Sequence, residues 1–133
     1  MKRHETTPRE LEDLRAVVAR DLEDASIEEL SDDRRFATAY NAALQSAKMV
    51  IACAGYRVAG QGHHETTFNV LALAMGDSAS KYATFFDTCR RKRNRVEYDM
   101  SGLATRTEVE QLIQQTRDFV GLVEKWIAAQ STT

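Results

Sequence analysis

The sequence is poor in residues that break regular structure. It holds one proline, six glycines and two cysteines in 133 residues. A β-sandwich or barrel needs a turn about every 8 to 12 residues, so this scarcity excludes an all-β fold. A chain of this length folds around one core, and we expect a single domain over residues 1–133 with flexible ends at 1–6 and 129–133.

Long apolar runs are also missing. No run of about 18 apolar residues is present, and the first residues are polar, without the apolar core of a signal peptide. Cys53 and Cys89 lie in helical apolar patterns, and neither belongs to a paired CxxC motif. The sequence therefore predicts a cytoplasmic protein with reduced cysteines and no contact with a membrane.

Charge is nearly balanced overall but uneven along the chain. The formal net charge is −2, and residues 1–35 hold eleven acidic against seven basic side chains. Five basic residues then fall within the six positions from Arg90 to Arg95. The near balance of charge argues against a protein that coats nucleic acid nonspecifically. The local cluster of basic residues is nevertheless a candidate functional surface.

Apolar residues recur at helical spacing through most of the chain. Thr7 with Glu10 and Thr105 with Glu108 match the capping box, and Ser31 is a third N-cap candidate. The pattern predicts an all-α fold, an antiparallel up-and-down bundle of four or five helices with no strand. The predicted core consists of Leu14, Val18, Phe36, Tyr40, Leu44, Val50, Ile51, Leu71, Phe86, Cys89, Leu112, Phe119, Val123 and Trp126.

The strongest candidate for chemistry is the basic segment, since the usual nucleotide, dinucleotide and zinc motifs are absent. Within it, Arg93 lies four residues after Cys89 and continues the same apolar stripe. A guanidinium there needs a carboxylate, a subunit interface or an anionic ligand. The structural alternative is that these cations satisfy the helix dipole and pair with Glu97, Asp99 or the acidic N-terminal third.

A second cluster, His63-His64-Glu65, stands at a helix start directly after a glycine-rich loop. Adjacent helical side chains point about 100° apart, so the two histidines cannot both coordinate one metal ion from this element alone. They are candidates for proton transfer or for contacting an anion at the helix N-terminus, and capping or loop packing is the alternative. We expect neither a metal ion nor a cofactor.

The third cluster is the segment 36–41, which puts Tyr40 and Asn41 on an alanine-rich helix. Both side chains carry a polar tip on an otherwise apolar surface. We expect core packing with a buried hydrogen bond here.

The segment from Arg93 to Tyr98 resembles the R-N-x-x-x-H motif of HEPN domains, which lies near the end of the third main helix of a small bundle. The stretches 34–41, 54–64 and 89–94 together resemble a bacterial HEPN subfamily of short stand-alone proteins. The similarity extends over most of the chain, from about Pro8 to Trp126.

The resemblance implies a homodimer whose motif helices meet in a positively charged cleft, with metal-independent RNA cleavage in toxin-like members. It implies that Arg93 stabilises the pentacoordinate phosphorane, that Asn94 orients the motif and that Tyr98 activates or positions the 2′-hydroxyl. The flanking cations that hold the backbone of RNA or a nucleotide are then Arg90, Arg91, Lys92 and Arg95. Other members lack cleavage and act as partners of small nucleotidyltransferases, so a noncatalytic binding module is the alternative.

The chain departs from the family motif at Tyr98, where the motif has histidine. A phenol, with a pKa of about 10, is a poorer base near neutrality than an imidazole, with a pKa of about 6.5. Tyr98 can still hydrogen-bond a phosphate or stack on a base. His63 or His64 supplies the missing imidazole if the fold brings their helix to the cleft.

Overall fold

The computed structural model of the chain describes residues 2–58, 63–98 and 102–131, and only the backbone at residues 63, 96–98 and 131. In this part of the chain the long elements are all helices, so the all-α bundle is confirmed. They are α1 (Pro8–Ala25), α2 (Asp32–Cys53), α3 (His63–Met75), α4 (Ser80–Tyr98) and α5 (Arg106–Ser131), with a short 3₁₀ turn at Asp77–Ala79. None of the helices described is both long enough and apolar enough to cross a membrane.

Three of the helices begin at the predicted caps. The Thr7 hydroxyl accepts the backbone amide of Glu10 at 3.1 Å, and Ser31 accepts the amide three residues ahead at 3.2 Å. Thr105 and Glu108 form a complete capping box, in which each side chain accepts the backbone amide of the other at 3.0 to 3.1 Å. These bonds satisfy amide groups that the first helical turn leaves without intrahelical partners.

The central element is α2, which contacts each of the other four helices. Its alanines allow close approach of these neighbours, and aromatic rings from α3, α4 and α5 fill the space around it. The predicted core is confirmed except at Leu14 and Trp126, which are partly buried and pack against its edge. The fully buried alanines of α2 are Ala39, Ala42, Ala43 and Ala47.

Two very short strands correct the expectation of a fold without strands. Strand β1 (Lys2–Arg3) pairs antiparallel with β2 (Tyr56–Arg57), and the His4 amide donates to the Gly55 carbonyl at 2.9 Å. The chain reverses after α2 because Gly55 adopts φ +95°, a backbone conformation that favours glycine. Residues 2–4 belong to the segment 1–6 that we expect to be flexible, and this ladder supplies partners for some of their backbone groups.

Two charged side chains in the first turn of α2 join distant parts of the chain. The Asp33 carboxylate accepts the amides of Gly102 and Ala104, which lie in the connection between α4 and α5. Arg35 is buried and donates to the carbonyl of Ala25 at the end of α1 at 2.8 Å. The Asp33 contact helps to set where the connection between α4 and α5 lies relative to α2, and the Arg35 contact does the same for the end of α1.

Candidate functional site

The basic segment occupies the C-terminal half of α4, and its first two cations share one carboxylate. Asp87 accepts from Arg90 Nε at 2.9 Å and from Arg91 Nη2 at 3.1 Å, as the i+3 and i+4 helical spacing allows. The hydrogen bond to Asp87 raises the pKa of Arg90 above its usual value. Arg90 also lies 3.9 Å from the carboxylate of Glu65 in α3, so it connects the two helices.

Lys92 and Arg95 have different surroundings. Lys92 Nζ donates to Glu108 Oε2 in α5 at 2.7 Å, and this hydrogen bond lowers the pKa of Glu108. The same carboxylate closes the capping box of α5, so Lys92 holds α4 against the start of α5. Arg95 is exposed on the surface of α4.

Arg93 turns inward toward α2, which confirms that it continues the apolar stripe of α4. Its guanidinium carbon lies 5.8 Å from the centre of the Tyr40 ring, and Nη1 is 3.4 Å from Asn94 Oδ1. A cation placed over an aromatic face is attracted by the electron density of the ring. Arg93 therefore contacts its own chain, and its inward position no longer argues by itself for a second subunit.

Tyr40 also contacts the start of α3. Its hydroxyl lies 3.1 Å from His64 Nδ1, the two ring centres are 5.8 Å apart, and only 1% of Tyr40 is exposed. The fold thus brings His64 and Arg93 to one buried ring. The side chains of His63 and Tyr98 lie outside the described residues.

The contact between Tyr40 and His64 is compatible with either tautomer of the neutral imidazole, and the direction of the hydrogen bond differs between the two. Burial raises the pKa of the Tyr40 phenol well above its usual value, against the opposing effect of Arg93, so the hydroxyl stays protonated near neutrality. If that hydroxyl donates to Nδ1, the neutral imidazole carries its proton on Nε2 and is a donor there. If Nδ1–H donates to the phenolic oxygen, Nε2 is unprotonated and can accept a proton.

Sequence reasoning missed two members of this site. Tyr40 was assigned to core packing, although a buried tyrosine hydroxyl needs a hydrogen-bond partner and therefore signals a second polar residue nearby. Asp87 was not singled out, although its spacing from Arg90 and Arg91 is that of helical ion pairs. In the third cluster, Asn41 donates to Asp21 at 2.6 Å, so the expected hydrogen bond is present but only partly buried.

Other kinds of chemistry have less support in the part of the chain that the structure describes. No group of three or more histidine, cysteine or acidic residues there is arranged to hold a metal ion. Cys53 and Cys89 are free thiols, and burial raises the pKa of Cys89 to about 12. A thiol in that state is a poor nucleophile, because the thiolate is the reactive form.

The chain was compared with models of known protein families. A family model described as HEPN_SAV_6107-like HEPN matches residues 26–124. The chain belongs to the HEPN family. The matched part of this HEPN protein contains α2, α3, α4 and most of α5, and hence Tyr40, His64 and Arg93, whereas α1 precedes it. Neither a search of curated proteins nor a search of solved structures gives a match.

Proposed function

We propose that this HEPN protein is a toxin-type endoribonuclease that cleaves RNA without a metal ion. The observation that carries the proposal is that His64 and Arg93, from different helices, both contact the buried ring of Tyr40. An imidazole transfers protons near neutral pH, and a guanidinium stabilises negative charge on phosphate oxygens. These are the two functions that cleavage by the RNA's own 2′-hydroxyl requires.

The reaction is an internal transfer at phosphorus. The 2′-oxygen bonds to the adjacent phosphorus and the bond to the 5′-oxygen breaks, which leaves a cyclic phosphate on one fragment and a 5′-hydroxyl on the other. His64 takes the proton of the 2′-hydroxyl and the leaving 5′-oxygen gains a proton from the resulting imidazolium or from water, while Arg93 stabilises the phosphorane. Tyr40 positions His64, Asn94 positions Arg93, and Tyr98 is the second candidate for the proton transfer.

The exposed part of the basic segment suits the RNA backbone. The Arg91 side chain is 71% exposed, and its bond to Asp87 limits its conformations; Arg95 is exposed as well. Arg90 and Lys92 are more buried and already pair with carboxylates. We therefore expect Arg91 and Arg95 to contribute more to phosphate binding than Arg90 and Lys92 do.

The outer face of α3 supports the homodimer as part of this proposal. Leu73 is 84% exposed and Val70 on the same helix is only partly buried, although α3 packs between α2 and α4. A groove of about 380 Å³ between α3 and α4 is lined by Ala72 and by Arg91. We propose that a second copy covers the α3 face, which brings the basic segments of both chains to one cleft.

A noncatalytic binding module, partner of a small nucleotidyltransferase or of another protein, is the second candidate. The observation in its favour is that Arg90, Arg91 and Lys92 all pair with carboxylates of the same chain, which weakens the positive surface offered to RNA. Both candidates include the cytoplasmic location expected from the sequence.

The deciding experiment is cleavage of single-stranded RNA by the purified protein in EDTA. We expect products with cyclic phosphate and 5′-hydroxyl ends. Arg93→Ala and His64→Ala should each lower the rate by about 100-fold or more while circular dichroism shows unchanged helix content. Tyr40→Phe keeps the ring but loses the contact with Nδ1, so it should lower the rate less. Arg117→Ala, on the exposed face of α5, is the matched control and should leave the rate unchanged.

Other outcomes separate the alternatives. Cleavage that requires added divalent metal contradicts the mechanism. If Tyr98→Phe abolishes cleavage and His64→Ala does not, the proton is carried by Tyr98. RNA binding without cleavage, with an affinity that falls steeply as salt rises and a slope that flattens in the Arg91→Ala, Arg95→Ala double variant, identifies the binding module.

A further inference from the structure

A second cavity lies beside the strand ladder. It has a volume of about 220 Å³ and is bounded by the start of α1, the end of α2 and strand β2. Lys48 lines it and follows Tyr40 by two helical turns, which places the two residues about 12 Å apart along the axis of α2. None of the residues assigned to RNA cleavage lines this cavity.

The walls of the cavity are mainly apolar, and its one carboxylate is already engaged. Leu14 and Ile51 form part of the apolar wall. Glu10 is the carboxylate, and both of its oxygens lie 2.8 Å from His4 Nε2. Glu10 is therefore hydrogen-bonded to His4 within the cavity wall.

Lys48 is the partly buried cation of this wall. Its ammonium is partly buried and makes no hydrogen bond or ion pair with any residue that the structure describes. Burial lowers the pKa of this amine, as expected for a cation placed against apolar groups. Arg57 of β2 is a second cation in the lining and is exposed. An anion bound beside Lys48 would offset the cost of burying its charge.

We propose that this cavity binds a small organic acid, whose carboxylate pairs with Lys48 and whose apolar part packs against Leu14 and Ile51. The volume corresponds to about seven water molecules at roughly 30 Å³ each, below the roughly 300 Å³ of sites for drug-sized ligands. An acid about the size of butyrate suits this space.

Binding of an acid is coupled to protonation of the amine. A carboxylate beside Lys48 favours the ammonium form and raises the lowered pKa of that group, so binding takes up protons at pH values between the two pKa values. The affinity for an acid should then fall as the pH rises through this range. The other titratable or charged groups lining the cavity are His4, Glu10, Tyr56 and Arg57.

The experiment titrates the full chain with butyrate, with its neutral amide butyramide and with inorganic phosphate, followed by NMR chemical shifts and calorimetry. We expect saturable butyrate binding, with butyramide and phosphate at least tenfold weaker. Lys48→Met should weaken butyrate binding at least tenfold, whereas Lys48→Arg keeps the charge and should retain binding. Lys125→Met, at an exposed lysine of α5, is the matched control and should bind as the wild type does.

The proposal is overturned if butyramide binds as well as butyrate, because the charge of Lys48 then plays no part. Phosphate binding as strongly as butyrate contradicts the role of the apolar wall. A pH dependence that persists in Lys48→Met belongs to the other lining groups and also overturns it. If Lys48→Met does not fold, the comparison of butyrate with butyramide on the wild type still decides, and none of these outcomes depends on RNA cleavage.

Discussion

Arg93 and Lys48 are two partly buried cations of this chain, and their different surroundings affect their positive charges differently. Arg93 lies over the face of Tyr40, where a planar guanidinium keeps its charge and is attracted by the ring. Lys48 lies against aliphatic side chains, and an amine in such a place can lose its proton instead. The first arrangement favours binding an anion in a fixed geometry, and the second makes the charge depend on pH.

Replacing Lys48 with methionine should raise the free energy of unfolding near neutral pH. The pKa of Lys48 is lowered in the folded chain, so between that value and the ordinary one of about 10.4 the unfolded chain binds more protons. The contribution of Lys48 to the free energy of unfolding therefore rises with pH in this range. At pH values below the range, the full cost of burying the charged ammonium remains. Urea denaturation should show that the difference in free energy of unfolding between Lys48→Met and the wild type becomes smaller from about pH 7 to about pH 10.

The control for this measurement is Lys125→Met, because Lys125 is exposed and should contribute the same free energy at both pH values. Comparing each variant with the wild type at the same pH removes the contributions of tyrosines and cysteines. An advantage of Lys48→Met that stays constant or grows with pH would show that burial of the ammonium is not its origin.

At the scale of elements, two helix starts with the same sequence signature differ in what their glutamate does. In α5, Glu108 accepts the Thr105 amide and also binds Lys92 of α4. In α1, Glu10 binds His4 with both carboxylate oxygens. The capping box of α5 therefore connects two long helices, whereas at α1 only the Thr7 half of the box forms and the glutamate holds the short N-terminal segment.

Thr105→Ala should destabilise the protein more than Thr7→Ala does. Loss of an N-cap hydroxyl costs about 1 kcal/mol, and at Thr105 it also loosens the carboxylate that holds α4 against α5. We expect a loss of about 1 to 2 kcal/mol for Thr105→Ala and about 0.5 to 1 kcal/mol for Thr7→Ala, measured by urea denaturation. Equal losses would mean that the contact between Lys92 and Glu108 adds nothing to the cap.

At the scale of the whole molecule, the proposed homodimer gives the clearest test. Light scattering at micromolar concentration should find a particle of twice the 15.0 kDa chain. Leu73→Glu should reduce it to one chain, because a charge on the exposed α3 face opposes burial against a second copy. The circular dichroism spectrum should not change.

Ile27→Glu is the matched control for this substitution. Ile27 is also a large apolar residue on the surface, 42% exposed, but it belongs to the connection between α1 and α2 and not to α3. It should leave the dimer intact. A wild-type particle of 15.0 kDa, or dissociation by both substitutions alike, would contradict the assignment of the α3 face.

The sequence by itself determined the helices and much of the family assignment, because both depend on local patterns. The spacing of apolar residues and the caps at Thr7, Ser31 and Thr105 predicted where helices begin. The HEPN resemblance was carried by the order of Arg93 and Asn94 on one helix together with the stretches 34–41, 54–64 and 89–94. Each of these signals is contained in a few turns of chain and needs no knowledge of the neighbouring helices.

Only the tertiary structure decided which polar groups meet. Tyr40 contacts His64 and Arg93 from positions 24 and 53 residues away, and such contacts depend on how α2, α3 and α4 pack together. The same holds for Lys92, whose partner lies on α5, and for the two-residue strands, which pair only because the chain reverses after α2. Helical periodicity specifies the face on which a side chain lies, and packing determines what that face touches.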